Sequence, residues 1–148
     1  MSLQERIQQE LKAAMLARDA DRLSTLRLLK SALGYVQIER KTDQLPDADV
    51  VSVIQKEAKK RRDSIEQYRN GGRPELAEKE ARELTVLETF LPQPLSPEEL
   101  EQLVRAAIQE LGATTKKDMG PVVKAVQAKA AGRADGKSIS SVVAKLLP

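Results

Sequence analysis

The sequence predicts an all-α fold, with a four-helix N-terminal domain followed by a small three-helix tail domain. Three observations predict it. Apolar residues recur every three or four positions, and no period-two run appears anywhere. The composition favours helix through Leu, Ala, Glu, Lys, Arg and Gln, while the aromatics reduce to Tyr35, Tyr68 and Phe90. Ser, Asp, Pro and Gly stand where helices start and stop.

Ser2 and Glu5 form the ends of a capping box, in which each side chain satisfies the other residue's backbone amide. Leu3, Ile7, Leu11 and Met15 then make one stripe, and the first helix runs to about Arg18. Asp19 or Asp21 caps the second, with Leu23, Leu26, Leu29, Leu33 and Val36 inward. Leu28 and Ile38 widen that stripe, so this helix is expected to pack on two sides, ending near Arg40. Residues 41–46 read as a loop. Asp47 is the expected cap of the third helix, which runs to about Asn70 and stops at Gly71 and Gly72. Pro74 sits at the first position of the fourth helix, whose stripe includes Leu76, Ala77, Ala81, Leu84, Leu87 and Leu91.

Pro92 and Pro94 push the residues before them towards extended geometry and mark the clearest boundary. The expected division is therefore residues 1–92 and 93–148. Ser96, Pro97 and Glu99 open the fifth helix, and Gly112 closes it. Two starts compete for the sixth. A Thr115 cap would put Pro121 deep in the helix, at a cost of about 3 kcal/mol. An Asp118 cap puts it at the third position, where the missing N–H has no intrahelical partner, and is preferred. That helix ends at Gly132, and a last one starts near Ser138 with Ile139, Val142, Val143 and Leu146 inward.

The chain has no Cys and no His, which removes disulfides, thiol nucleophiles, Ser-His-Asp triads and most zinc sites. No run of about 18 apolar residues and no apolar signal segment is present, so neither a membrane span nor secretion is expected, and a cytoplasmic location is the default. No cofactor or metal is expected. The charge is unevenly spread. Residues 73–111 carry 4 bases and 9 acids, whereas residues 112–148 carry 7 bases and 2 acids, a segment charge of +5. Lys116, Lys117, Lys124, Lys129, Arg133 and Lys137 are the candidate binding residues for an anionic partner. No aromatic lies in this segment, so recognition would read phosphates and shape, which suits folded RNA better than single strands.

Other motifs carry less. Gly132-Arg133-Ala134-Asp135-Gly136-Lys137-Ser138 looks like a phosphate loop, but its first Gly is one residue too close and no strand precedes it. A remaining reading is that helix starts near Asp118 and Asp135 present amides to a phosphate. Lys56, Lys59 and Lys60 share a face of the third helix while Arg61 and Arg62 turn away, and Glu57, Asp63 and Glu66 are interleaved as in a salt-bridged surface. Glu75, Glu78, Glu80, Glu83 and Glu88 read as a solvated face of the fourth helix.

Six blocks in order resemble the YqeY family: Arg27–Ala32, Lys56–Tyr68, Gly72–Glu80, Phe90-Leu91-Pro92, Lys117–Gly120 and Gly132–Lys137. The sequence departs from the family at Val123, where Met is frequent, and at Phe90, where Tyr is frequent. The C-terminal part is also similar to the tail domain of the B subunit of the tRNA-dependent Asp/Glu amidotransferase. The resemblance implies a helical domain plus a helical tail that helps hold tRNA. It also implies an inherited carbon–nitrogen ligase label, although that enzyme's glutaminase and activation sites lie outside the similar region. The expected function is a tRNA-binding or amidotransferase-associated helical protein with no catalytic residue of its own. Its partners would be tRNA or another structured RNA, or an amidotransferase or aminoacyl-tRNA synthetase assembly, with no membrane. Participation in glutamine-dependent tRNA amidation, and a protein–protein adaptor, are the alternatives.

Overall fold

A computed structural model describes residues 1–148. It contains seven α-helices, one 3-10 turn and no strand. In chain order these are α1 (Leu3–Ala17), α2 (Ala20–Arg40), α3 (Asp47–Asn70), α4 (Pro74–Glu88), α5 (Pro97–Leu111), the turn Lys116–Asp118, α6 (Met119–Ala130) and α7 (Gly136–Leu146). The chain forms two compact units, Met1–Leu91 and Pro92–Pro148.

In the first unit, the Ser2–Glu5 capping box forms as the sequence requires. Ser2 Oγ accepts from the Glu5 amide at 3.1 Å, and Glu5 Oε2 accepts from the Ser2 amide at 3.3 Å. Ile7, Leu11 and Ala14 turn inward, while Met15 is half-exposed. Asp19, the first of the two candidates, caps α2 by accepting from the Arg22 amide, and Asp21 instead lies 3.4 Å from Arg82 on α4. Asp47 does not cap its own helix. It is the first residue of α3, preceded by Pro46, and its Oδ1 accepts from the Leu3 amide at 2.9 Å. The carboxylate thus satisfies a free N–H at the start of α1, 44 residues away. Gln4 does the reverse service for the loop, its Oε1 accepting from the amide of the buried Leu45.

The α3–α4 pair is the most extensive helix packing in the chain. Gly72, with φ +72°, makes the left-handed turn between them, and Gly71 does not. Beside Ile54, Ala58, Ile65, Ala77 and Leu87, this interface holds charge. Arg61 of α3 is held by Glu80 at 3.0 Å and by Glu83, both on α4. Glu83 is 5% exposed, so it is a core residue and not part of a solvated helix face. The ion pair explains why a carboxylate can sit there: an unpaired buried charge would be far costlier. At the far end of α4, Phe90 is buried, with the Arg6 guanidinium 5.0 Å from its ring centre and Arg6 Nη2 donating to the Thr89 carbonyl at 2.9 Å.

Packing of α2 departs from expectation. Leu26, Leu29 and Leu33 are buried, but Leu28 and Ile38 are exposed together with Tyr35. α2 therefore packs on one side only, and its second apolar face meets solvent.

In the second unit, α5, α6 and α7 all pack on one another. Leu100, Val104 and Ala107 meet Val122, Val126, Ala130, Ile139, Val143 and Leu147 in a fully aliphatic core. Ser96 caps α5 and Gly112 closes it with φ +64°. The competing starts of α6 are both used. The chain turns in after Thr115 through the 3-10 turn, and Asp118 leads into α6, placing Pro121 at its third position. Asp118 accepts from the amides of Thr114 and Thr115 at 3.0 and 3.3 Å, behind it rather than ahead. α6 stops at Ala131, with φ +49°, one residue before Gly132. α7 begins at Gly136, two residues before the expected Ser138, because Asp135 caps it by accepting from the Ser138 amide at 2.7 Å.

Arg61→Met should destabilise the chain by about 3–5 kcal/mol in urea unfolding, because it strands the Glu83 carboxylate in the core. Arg61→Met combined with Glu83→Leu should recover most of that loss. If Arg61→Met is as stable as the parent, the buried pair has no such role. The Thr114 and Thr115 amides also hold the Asp118 carboxyl below the usual aspartate value. The stabilisation this gives is therefore full above the ordinary unfolded value near pH 4 and lost as pH falls through the lower folded value. Carbon-detected NMR titration should show the low Asp118 value, and Asp118→Asn should flatten the acid limb of the thermal unfolding midpoint.

Candidate nucleic-acid interface

The cations of the second unit separate into two groups once their partners are known. Lys129 Nζ lies 2.7 Å from Glu110 Oε2, and this contact holds the Glu110 carboxyl below its ordinary value. Arg133 serves the architecture. Its Nε donates to the Gln93 carbonyl at 2.9 Å, its Nη2 lies 3.4 Å from Glu99, and its own carbonyl accepts from the Leu95 amide at 2.8 Å. Arg133 thereby ties residues 93–95 to the turn between α6 and α7. A shallow pocket of about 320 Å³ lies beside it, lined by Leu95, Glu99, Gln102, Leu103, Lys129 and Arg133, and its charges are already paired.

Lys116, Lys117, Lys124 and Lys137 are exposed and form no ion pair. Lys145 on α7 has the same character, and the sequence reading passed over it. Its signal was available: a lysine in the last turn of an amphipathic helix, on the solvent side of Val143 and Leu147.

Helical geometry arranges these lysines. Gly120 and Pro121 lie three and four residues after Lys117, and Gln127 and Ala128 lie three and four after Lys124; all six are exposed. The two lysines are about 10 Å apart along the axis. Between and beyond them the side chains are small, and a Cβ built at Gly120 would meet nothing within 4 Å. From Met119 to Ala134 there is no carboxylate. The outer face of α6 thus carries Lys124 with no carboxylate on the helix, and Lys117 stands just before it in the 3-10 turn. Lys137, Ser141 and Lys145 make a second exposed row on α7.

The two helix starts differ. The carboxylate of Asp135 occupies the Ser138 amide of α7, whereas that of Asp118 takes the Thr114 and Thr115 amides behind α6, which has no side-chain cap of its own. An anion at the start of α7 would have to displace a covalently tethered carboxylate. The phosphate-loop likeness of residues 132–138 resolves into a helix stop and a capped helix start, with a Cβ at Gly136 coming within 3.2 Å of the Gln127 amide nitrogen. On α3, Lys56, Lys59 and Lys60 share the exposed side, with Lys60 3.3 Å from Glu57, while Arg61 points into the core. No group of three or more carboxylates has a metal-holding arrangement.

The profile of the family described as YqeY-like protein matches residues 4–147. A protein of Schizosaccharomyces pombe, named only as uncharacterized, is 38% identical over 92 residues, which are 62% of this chain and 74% of that one. The protein named altered inheritance of mitochondria protein 41, mitochondrial, of Pyrenophora tritici-repentis is 30% identical over 145 residues, covering 96% of this chain and 79% of its own. The protein of that name from Vanderwaltozyma polyspora is 31% identical over 107 residues, and the match covers 71% of this chain and 58% of that one. These names correct the cytoplasmic expectation, since the relatives that carry them are mitochondrial. The expectation rested on the lack of an apolar secretory segment, whereas mitochondrial addresses are amphipathic and Arg-rich and leave no apolar run to find. No helix here is long and apolar enough to cross a membrane. A profile match over nearly its whole length and a relative aligned over 79% of its own chain show that this protein belongs to the YqeY-like family.

Proposed function

We propose that this protein binds structured RNA, with tRNA as the leading class, through the outer faces of α6 and α7 and without chemistry of its own. The observation that carries the reading is the separation of cations in the second unit. Lys129 and Arg133 are neutralised by carboxylates, while Lys116, Lys117, Lys124, Lys137 and Lys145 are exposed and form no ion pair. Exposed lysines without local acids attract phosphates by charge and release counterions when they bind. The strip around Gly120, Pro121 and Ala128 offers no bulky side chain and no aromatic, which fits contact with a folded backbone rather than with splayed bases. The likeness of this part of the sequence to an amidotransferase tail supports the same reading.

Filter binding of tRNA at increasing salt tests it. Changing Lys116, Lys117, Lys124 and Lys137 together to Ala should weaken binding by tenfold or more at low salt. It should also reduce the log–log salt slope by somewhat under one per lost phosphate contact. Lys129→Ala should do much less, because that lysine already has a partner. No binding at low salt, or equal sensitivity at Lys124 and Lys129, would remove the reading.

A further inference from the structure

The outer face of α2 stays uncovered in the first unit. Leu28, Tyr35 and Ile38 are 52%, 76% and 78% exposed. With the exposed Ser24 and Ser31 they stand at alternating four- and three-residue steps, on the side of the helix opposite the buried Leu26 and Leu33.

The order of side chains along this row is two-fold symmetric about Leu33. Leu28 and Ile38 stand at equal distances either side of it, as do Ser31 and Tyr35, and Arg27 and Glu39. Two copies of α2 crossing antiparallel at the level of Leu33 therefore meet as one isologous surface. Leu28 of each copy comes level with Ile38 of the other, and Tyr35 with Ser31, a large group against a small one. Arg27 and Glu39 are exposed and border the row on opposite sides. In the pair, Arg27 of one copy and Glu39 of the other flank each Leu28–Ile38 layer. The two Arg27 side chains lie about 18 Å apart along the axis, as do the two Glu39 side chains.

Gly34 marks the same centre. It lies inside α2 without a positive φ, and a Cβ built on it would meet nothing within 4 Å. A glycine there costs helix stability and gains nothing inside the chain, whereas it admits the backbone of a second helix at a crossing point. These observations select a second copy as the occupant. The edges of the row carry both signs, so they match neither an anionic surface nor a helix of single charge, and a row that is symmetric about its middle fits its own reverse.

We infer that two copies of this chain pair antiparallel through the outer faces of α2, with Leu28 against Ile38, Tyr35 against Ser31 and Gly34 at the crossing. A single helix pair is smaller than a standard interface, so the dimer is weak and grows in with concentration. The pairing uses no residue of α6 or α7.

The chain has no Cys, so introduced thiols report the register directly. Full-length chains carrying Leu28→Cys, mixed with chains carrying Ile38→Cys, should form a mixed disulfide under mild oxidation, because level positions bring the Cβ atoms within bridging distance. Either variant alone should cross-link about tenfold less, since like positions lie about 15 Å apart along the axis. Sedimentation velocity of the parent chain should show a dimer that increases with concentration. Tyr35→Glu should abolish it and leave the circular dichroism of the dilute chain unchanged, because Tyr35 is exposed in the monomer. Gly34→Gln should raise the thermal unfolding midpoint of the dilute chain and yet weaken dimerisation, opposite signs that a loss of folding cannot produce. The inference is overturned if the chain stays monomeric at every concentration, even where a partner protein or phosphatidylglycerol vesicles bind the same face. It is also overturned if Leu28→Cys alone cross-links as fast as the mixture, which marks a parallel pair, or if the dimer survives Tyr35→Glu, which places it on another face.

Discussion

The buried contact of Arg61 with Glu80 and Glu83 is the constraint on which the N-terminal unit turns. It sits in the largest helix interface of a protein that is nearly devoid of aromatics. Aliphatic packing is strong but weakly directional, so Leu and Val stripes alone allow neighbouring registers of α3 against α4. A guanidinium that must find two carboxylates allows far fewer, because a slip by one residue would leave charge in the core. Ile54, Ala58 and Ile65 on α3 and Ala77 and Leu87 on α4 are buried in the same unit as the pair. The tight turn at Gly72 then has only one geometry to close.

Several other polar contacts act across long sequence distances in the same way. Asp47 caps α1 rather than α3, Gln4 holds the loop that buries Leu45, and Arg6 covers Phe90 while satisfying the carbonyl of Thr89. Each joins an element end to an element far along the chain. Helix ends are where backbone groups lack partners, so borrowed side chains there both satisfy the backbone and order the unit. Arg133 does this in the second unit, where it holds residues 93–95 against the α6–α7 turn.

Charge in this protein therefore falls into two groups. Arg61, Arg133 and Lys129 are committed to carboxylates. Lys124 on α6, and Lys137 and Lys145 on α7, are exposed and form no ion pair. The first group builds the units, and the second has no partner within the chain. Exposed cations next to small residues suit a phosphate backbone.

The sequence by itself determined the helices. Local signals such as the Ser2–Glu5 box, Ser96 before Pro97, Asp135 and the glycines at 72 and 112 act within a few residues, and the periodic stripes select one face of each helix. It also determined which segment is basic and acid-free. Only the tertiary structure decided the destination of side chains whose partners lie far away in sequence. Glu83 looked like one of five solvated carboxylates, because nothing within a few residues of it shows that Arg61, 22 positions earlier, turns inward. Asp47 looked like the cap of its own helix, because its true acceptor role reaches α1. Lys129 and Lys124 were indistinguishable until Glu110 was placed beside one of them. Leu28 and Ile38 looked like core until α2 proved to have neighbours on one side alone. Period and capping are properties of the local chain, whereas pairing and burial are properties of what the fold brings alongside.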